Sequence, residues 1–229
     1  MICNAKLNIG IRIDLLQKEI KALFESDNWL PHFNQSHYEG NWEVLPLRTP
    51  GGQTNNPFAD LFQHTSFENT ALLDKLPEVN AILESLQCEK QSVRLLNLRK
   101  GSVIKTHRDY DLAFEMGEAR LHFPVFTTEQ VEFFVDENFI KMQEGECWYI
   151  NANLPHRAAN HGTTDRIHLV VDCIVNPWLE ELFEHSEKQC KTEVKDTEKT
   201  KQIIESLRMQ NTPTALALAN KLESELENE

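Results

Sequence analysis

The sequence predicts a mainly β protein, an antiparallel barrel or jelly roll with helices at both ends. After Gln91 the chain breaks into short runs of apolar, β-branched and aromatic residues at 93–98, 119–126, 131–135, 139–142, 146–150 and 167–175. Turn residues separate these runs and no helical period intervenes, which favours antiparallel pairing over a parallel sheet with crossover helices. On both sides of this block, apolar residues return to helical spacing.

In chain order, Ile13, Leu15, Leu16, Ile20, Leu23 and Phe24 predict an amphipathic helix over 11–24. A polar, Asn- and Gly-rich stretch follows. It is interrupted by Trp42-Glu43-Val44-Leu45-Pro46-Leu47-Arg48, which reads as a strand running into a Gly51-Gly52 turn. Residues 72–86 resume helical spacing, with Pro77 placed to interrupt or restart the helix. The first ninety residues are therefore expected to be α-rich.

Within the β block, Val131-Glu132-Phe133-Phe134-Val135, a turn at Asp136-Glu137-Asn138, and Phe139-Ile140-Lys141-Met142 predict a hairpin. Past Pro177 the pattern is helical again. The charged stretch 186–201 reads as a linker or solvated helix, and 202–209 and 214–226 are helix candidates, the second with Thr212 as N-cap and Pro213 at its first position. The expected organisation is an α-rich part packing on the barrel over 1–90, a β core over 91–178, and a helical extension over 179–229 that either packs on the barrel or mediates self-association.

Composition narrows the function. The 229 residues are 40% hydrophobic and 26% charged, as in an ordinary globular domain. A net charge of -13 opposes binding to nucleic acid and to anionic lipid, and suits a small-molecule or peptide substrate. No apolar run approaches the roughly 20 residues needed to span a bilayer, and the N-terminus lacks a signal-peptide layout, so a cytoplasmic setting is expected. Cys3, Cys88, Cys147, Cys173 and Cys190 are odd in number and scattered, which suggests reduced thiols rather than a disulfide framework.

The chemistry lies in His107-Arg108-Asp109 and in His156 of Leu154-Pro155-His156-Arg157. An imidazole and a carboxylate two residues apart on a strand project to one face, and a later His completes three ligands. Two histidines and one carboxylate form the facial set expected of a non-haem Fe(II) oxygenase, which keeps the remaining positions open. The same spacing also suits a polar pair on a loop with an unrelated His156. Oxygen activation at such an iron draws electrons from 2-oxoglutarate, whose distal carboxylate needs a cation. Arg166, ten residues past His156 and opening the last β run, is placed to supply a bidentate guanidinium if one strand turns back beside the other. Arg120 and His122 alternate around Leu121 and are candidates for the cosubstrate carboxylates. Trp42 and Arg48 are candidates for the substrate, or else belong to a packing strand with an exposed Arg. His168 reads as a hydrogen-bonded core position, His161 as a loop residue near the rim, and His32, His37, His64 and His185 as surface residues.

The segments His107-Arg108-Asp109-Tyr110, Arg120-Leu121-His122, Gly145-Glu146-Cys147-Trp148-Tyr149-Ile150, Leu154-Pro155-His156-Arg157-Ala158 and Arg166-Ile167-His168-Leu169-Val170-Val171-Asp172 resemble those of the aspartyl/asparaginyl β-hydroxylase family. The bacterial cis-4-proline hydroxylase branch is nearest. The resemblance spans about 93–178, with weaker similarity at Glu39-Gly40-Asn41-Trp42 and Leu47-Arg48. It implies a cupin-like double-stranded β-helix that uses Fe(II), 2-oxoglutarate and O2 to hydroxylate an unactivated carbon, releasing succinate and CO2. It further implies that His107, Asp109 and His156 ligate iron, that Arg166 anchors 2-oxoglutarate, and that Arg120 and His122 lie around the cosubstrate. The animal members lack the carboxylate ligand, so Asp109 moves this chain toward the bacterial amino-acid hydroxylases. Two other readings stay open: hydroxylation of Asp or Asn side chains in a protein, and a non-catalytic cupin-like binding module whose acidic helical tail binds a partner.

Overall fold

The computed structural model describes residues 1–24, 29–55, 66–191 and 197–227. Two compact units divide it, Met1–Cys190 and Lys191–Glu229. Among the described residues the first contains fourteen strands: β1 (Ile2–Leu7), β2 (Leu30–Pro31), β3 (Tyr38–Glu39), β4 (Trp42–Pro50), β5 (Phe67–Asn69), β6 (Lys90–Leu98), β7 (Val103–His107), β8 (Glu118–Phe126), β9 (Val131–Val135), β10 (Asn138–Phe139), β11 (Cys147–Ile150), β12 (His156–Asn160), β13 (Arg166–Ile174) and β14 (Glu187–Cys190). Its helices are α1 (Ile13–Lys21), α2 (Pro77–Ser85) and α3 (Pro177–Glu184).

The strands form two sheets. The larger has the order β14-β1-β11-β8-β13-β6-β4-β2, with β5 on β4; the smaller has the order β10-β9-β12-β7-β3, and every pairing in both is antiparallel. This is the mainly β, jelly-roll architecture expected, with helices toward both ends.

Period-two alternation explains how the large sheet is used. Leu45 and Leu47 of β4, Val93 and Leu95 of β6, Leu121 and Phe123 of β8, and Leu169 and Val171 of β13 join one core with Leu16 and Ile20 of α1, Val79 and Ile82 of α2, and Phe183 of α3. The alternate residues Trp42, Val44, Leu96, Leu98 and Val170 join a second core with Ile104, Phe133, Val135 and Ala158 of the small sheet. Both faces of β13 are thus covered, which is why Leu169-Val170-Val171 reads as a continuous apolar run rather than a clean alternation.

Three expectations need correction. The first ninety residues are not α-rich: β1 and β4 lie inside the large sheet, and the two helices of that region are nine residues each. The run at 42–48 forms the expected strand, β4, but β1 and the two- and three-residue strands β2, β3 and β5 carry too little periodicity to register, so the boundaries drawn at 90 and 178 cut through a single sheet system. The charged stretch beginning at 186 opens with the edge strand β14, paired to β1; residues 192–196 lie outside the described set. The second arm of the predicted hairpin at 139–142 shortens to β10, only two residues long. Pro77, by contrast, sits at the start of α2 after a single 3-10 turn at Leu73–Lys75, where its missing N–H costs nothing.

In the second unit, α4 (Thr197–Gln210) and α5 (Pro213–Glu227) pack together through Ile204, Ala215 and Ala219. The hydroxyl of Thr212 accepts from the N–H of Ala215 at 3.2 Å, the N-cap expected from Thr212-Pro213. Among the described residues, no helix is long and apolar enough to cross a membrane.

Candidate active site

A cavity of about 500 Å³ opens between the two sheets, on the inward face of the large one. Its lining draws on Trp42 of β4, Arg94 of β6, Arg120 and His122 of β8, Arg166 of β13, and His107 and His156 of the small sheet. The even-numbered side chains of β8 and β13 point inward because Leu121, Leu169 and Val171 point to the opposite core.

His107 ends β7 and His156 begins β12; they are direct partners in the antiparallel register, with ring centroids 4.2 Å apart. The donor atoms of His107, Asp109 and His156 all lie within 4.8 Å of one another. Each imidazole spends its Nδ1–H on a backbone carbonyl, His107 on Lys105 at 2.8 Å and His156 on Leu154 at 3.0 Å. Those bonds fix the tautomer and leave Nε2 of both rings as a bare electron pair. Burial pushes both imidazoles down, His156 to about 4, so they are neutral near pH 7. Burial works against ionisation of Asp109, but the Arg120 guanidinium outweighs it and holds the carboxyl well below the usual range. Two neutral nitrogens and one ionised carboxylate fit a divalent first-row ion.

Asp109 reaches this position in an unexpected way. It lies beyond the end of β7, in a turn tied by its N–H to the carbonyl of Ala152 at 2.9 Å, so His107 and Asp109 do not share one strand. A shared strand face is therefore not what brings the pair together. Likewise β12 and β13 do not lie side by side: β12 pairs with β7 and β9, and β13 with β6 and β8. The chain between them crosses from one sheet to the other, and Arg166 enters the cavity from the opposite wall.

Arg166 is 1% exposed. Its Nη2 donates to Nδ1 of His168 at 2.9 Å, its guanidinium stands 5.6 Å from the Phe133 ring, and its Nε is buried without a partner. Burial alone pushes it down to about 9. A buried cation facing a cavity with an idle donor fits a carboxylate ligand. His168 takes the hydrogen-bonded core position expected and holds this side chain.

Arg120 lines the cavity but its charge is already matched. Nε and Nη2 donate to Asp172 at 2.7 and 3.0 Å, and Nη1 donates to Asp109. It therefore offers no uncompensated cation to a cosubstrate carboxylate. His122 also lines the cavity; it is buried, held well below its ordinary range by burial and the nearby arginines, and 3.4 Å from His168 between their Nδ1 atoms.

Of the two candidates upstream, Trp42 reaches the cavity and Arg48 does not. Six residues of strand place them about 20 Å apart, and a register shift between Pro46 and Arg48 breaks the alternation. Arg48 donates instead to the carbonyl of Lys90 at 3.0 Å and to Asn69 at 2.7 Å. His32, expected on the surface, stacks on Trp42 with centroids 3.5 Å and planes 13° apart, and His37 lies 5.0 Å from the His107 ring; both line the cavity. Nδ1 of His32 and Nε1 of Trp42 are buried without hydrogen-bond partners. His185 is exposed as expected, while His64 lies outside the described residues. Arg94 and Asp172 also escaped the sequence reading. Arg94 alternates with the inward-facing Leu96, but nothing in one sequence marks Asp172 as its partner.

Comparison with known proteins follows the same lines. The chain is 27% identical over 155 residues to the L-proline cis-4-hydroxylase of Rhizobium meliloti (strain 1021), covering 67% of this chain and 55% of that protein. It is 27% identical over 169 residues to L-proline cis-3-hydroxylase 1 of Streptomyces sp, covering 70% and 58%. The chain thus spans somewhat over half the length of these relatives. A solved prolyl-4-hydroxylase from Pseudomonas putida aligns over 77% of this chain and 94% of its own, at 10% identity and a TM-score of 0.47. The pattern of the family described as Aspartyl/Asparaginyl beta-hydroxylase matches residues 12–177, reaching further toward the N-terminus than the local motifs do. With most of the chain inside that match, this protein belongs to the aspartyl/asparaginyl β-hydroxylase family.

Proposed function

We propose that this protein is an Fe(II)- and 2-oxoglutarate-dependent dioxygenase that hydroxylates an unactivated carbon of a free amino acid or amino-acid derivative, forming succinate and CO2. The observation that carries the reading is the pairing, in one cavity, of three convergent donors on His107, Asp109 and His156 with a buried, carboxylate-free Arg166. When bound, the iron supplies oxygen activation, for which 2-oxoglutarate is the electron source.

The protein's residues do the rest. His107 and His156 present Nε2 because backbone carbonyls hold Nδ1–H, and Asp109 adds one negative charge. Arg166, kept in place by His168, binds the distal carboxylate of 2-oxoglutarate. His122, neutral and beside His168, lines the cosubstrate wall. Trp42, stacked on His32, forms the substrate wall, and their idle nitrogens suit the polar groups of an amino acid. The apolar Val44, Leu96, Ile150 and Phe133 keep the remaining space dry. The likeness to L-proline hydroxylases favours a free amino acid over a protein side chain.

Mixing the protein with Fe(II), ascorbate and 2-oxoglutarate, then screening the twenty amino acids for stimulated succinate release, tests the proposal. His107→Ala, Asp109→Ala and His156→Ala each remove turnover. No succinate from the wild type, or full turnover by the Asp109 variant, refutes it. The reading also carries a cytoplasmic setting, supported by the buried free thiols of Cys3, Cys88, Cys147 and Cys173. Self-association through α4 and α5 belongs to it as well, supported by exposed Ile203, Met209 and Leu218 and tested by sedimentation.

A further inference from the structure

Asp172 lies in the middle of a line of alternating charges that ends on the triad. It accepts from Nε and Nη2 of Arg120 at 2.7 and 3.0 Å, a two-point pairing that fixes the guanidinium plane, and from Nη2 of Arg94 at 3.0 Å. The far edge of Arg120 donates through Nη1 to Oδ2 of Asp109. Asp172 and Arg120 are direct partners in the β8–β13 register, and Arg94 comes from β6 on the other side of β13. Three central strands therefore set the direction of Arg120.

Asp109 has no such support of its own. It sits in a turn outside β7, beside the 79% exposed Tyr110 and ahead of Asp111, which takes a positive φ of 68°. One backbone hydrogen bond, to Ala152, ties the residue down, and it leaves the carboxylate free to rotate. Arg120 removes that freedom by taking Oδ2, while Oδ1 stands 3.9 Å from Nε2 of His107.

We propose that Asp172 is a positioning residue for the metal centre: acting through Arg120, it holds Oδ2 of Asp109 aside and presents Oδ1 alone to the ion. With Oδ2 taken by Arg120, Oδ1 would be the oxygen left to hold the ion. Asp172 also neutralises Arg94 and Arg120, which would otherwise repel a divalent cation from this end of the cavity. The proposal rests on the metal-site reading given under Proposed function.

Asp172→Asn alone strands the buried Arg94, leaves Arg120 with Asp109 alone, and risks the fold. The decisive variant is Arg94→Gln/Asp172→Asn, which removes one charge of each sign and keeps Arg120 opposite Asp109. Metal-free full-length protein is titrated calorimetrically with Ni2+ as a redox-inert probe. The double variant weakens Ni2+ binding about 10- to 100-fold, and Arg94→Gln alone stays within about threefold. With Co2+ in place of Ni2+, the visible d–d spectrum of the double variant changes, because Arg120, no longer fixed by Asp172, holds Oδ2 of Asp109 less firmly. A merely structural Asp172 lowers Tm and leaves that spectrum as in the wild type. Ni2+ binding by the double variant as tight as the wild type overturns the proposal, as does a full loss from Arg94→Gln alone. Failure of the wild type to bind Ni2+ or Co2+ at all refutes the metal-site reading itself.

Discussion

Arg166→Met separates two consequences of burying a cation without a carboxylate, and they have opposite signs. Arg166 is 1% exposed, and its fall from the ordinary arginine value to about 9 corresponds to about 5 kcal/mol of disfavoured charge in the folded state. Replacement by a neutral side chain relieves this but forfeits the bond to His168, worth about 1.5–3 kcal/mol, and packs the site less well. A net gain of about 2 kcal/mol remains, which raises Tm of the ligand-free protein by about 4–8 °C. The cosubstrate loses two charge-assisted hydrogen bonds, so its Kd weakens by roughly 10²- to 10³-fold. Differential scanning fluorimetry without ligand, and titration of 2-oxoglutarate into the anaerobic metal-loaded protein, read the two effects separately. A variant that is less stable than the wild type and binds 2-oxoglutarate equally well refutes the assignment of Arg166 as anchor.

His32→Phe keeps the stack on Trp42 and removes both ring nitrogens, so the KM of the amino-acid substrate rises about 3- to 10-fold while substrate-independent 2-oxoglutarate turnover is unchanged; steady-state succinate assays distinguish these. Arg48→Ala leaves both kinetic constants unchanged and lowers the urea midpoint by the equivalent of about 1 kcal/mol, since Arg48 serves only Lys90 and Asn69. Stability falls with acid because burial pushes His32 down to about 3 and holds His122 and His168 well below their ordinary range. The unfolded chain then binds more protons than the folded one. The contribution is complete above about pH 6.5 and is lost as pH falls toward the folded values, by about 1.4 kcal/mol per pH unit and histidine. Denaturant midpoints measured from pH 8 to 5 test this, and a flat profile contradicts it.

The parts of the fold that were legible in the sequence are those in which pattern and packing agree. Strands β6, β8, β9, β11 and β13 are long or rich in β-branched and aromatic residues. β1, β7 and β12 were missed because their apolar residues are few and mixed with His, Lys, Arg and Asn: Val-Ile-Lys-Thr-His and His-Arg-Ala-Ala-Asn carry no clean alternation. The triad was recognisable although the local reason offered for it was wrong. His-x-Asp works here although β7 ends at His107, because the N–H of Asp109 is held by the carbonyl of Ala152. Arg48 failed because separation along a strand is also separation in space. Asp172 and Arg94 stayed hidden because a buried ion pair is a relation between strands, and a single sequence does not record register.

The electrostatics of the cavity show why such different residues belong together. Burial strips the histidines of charge, leaving Asp109 as the one ionised group of the triad, and Arg94, Arg120 and Asp172 nearly cancel what lies beside it. A divalent ion bound at this balanced cluster makes that end of the cavity a positive centre, and Arg166 contributes another at the opposite wall. Two separated positive charges inside an apolar cavity match a dicarboxylate better than a monocarboxylate or a zwitterion. Hence 2-oxobutyrate, which keeps the chelating end of 2-oxoglutarate and lacks the distal carboxylate, binds the metal-loaded wild type weakly and gains nothing from Arg166. In Arg166→Met the two compounds bind with similar affinity, and a preference for 2-oxoglutarate that survives the substitution places the distal carboxylate elsewhere.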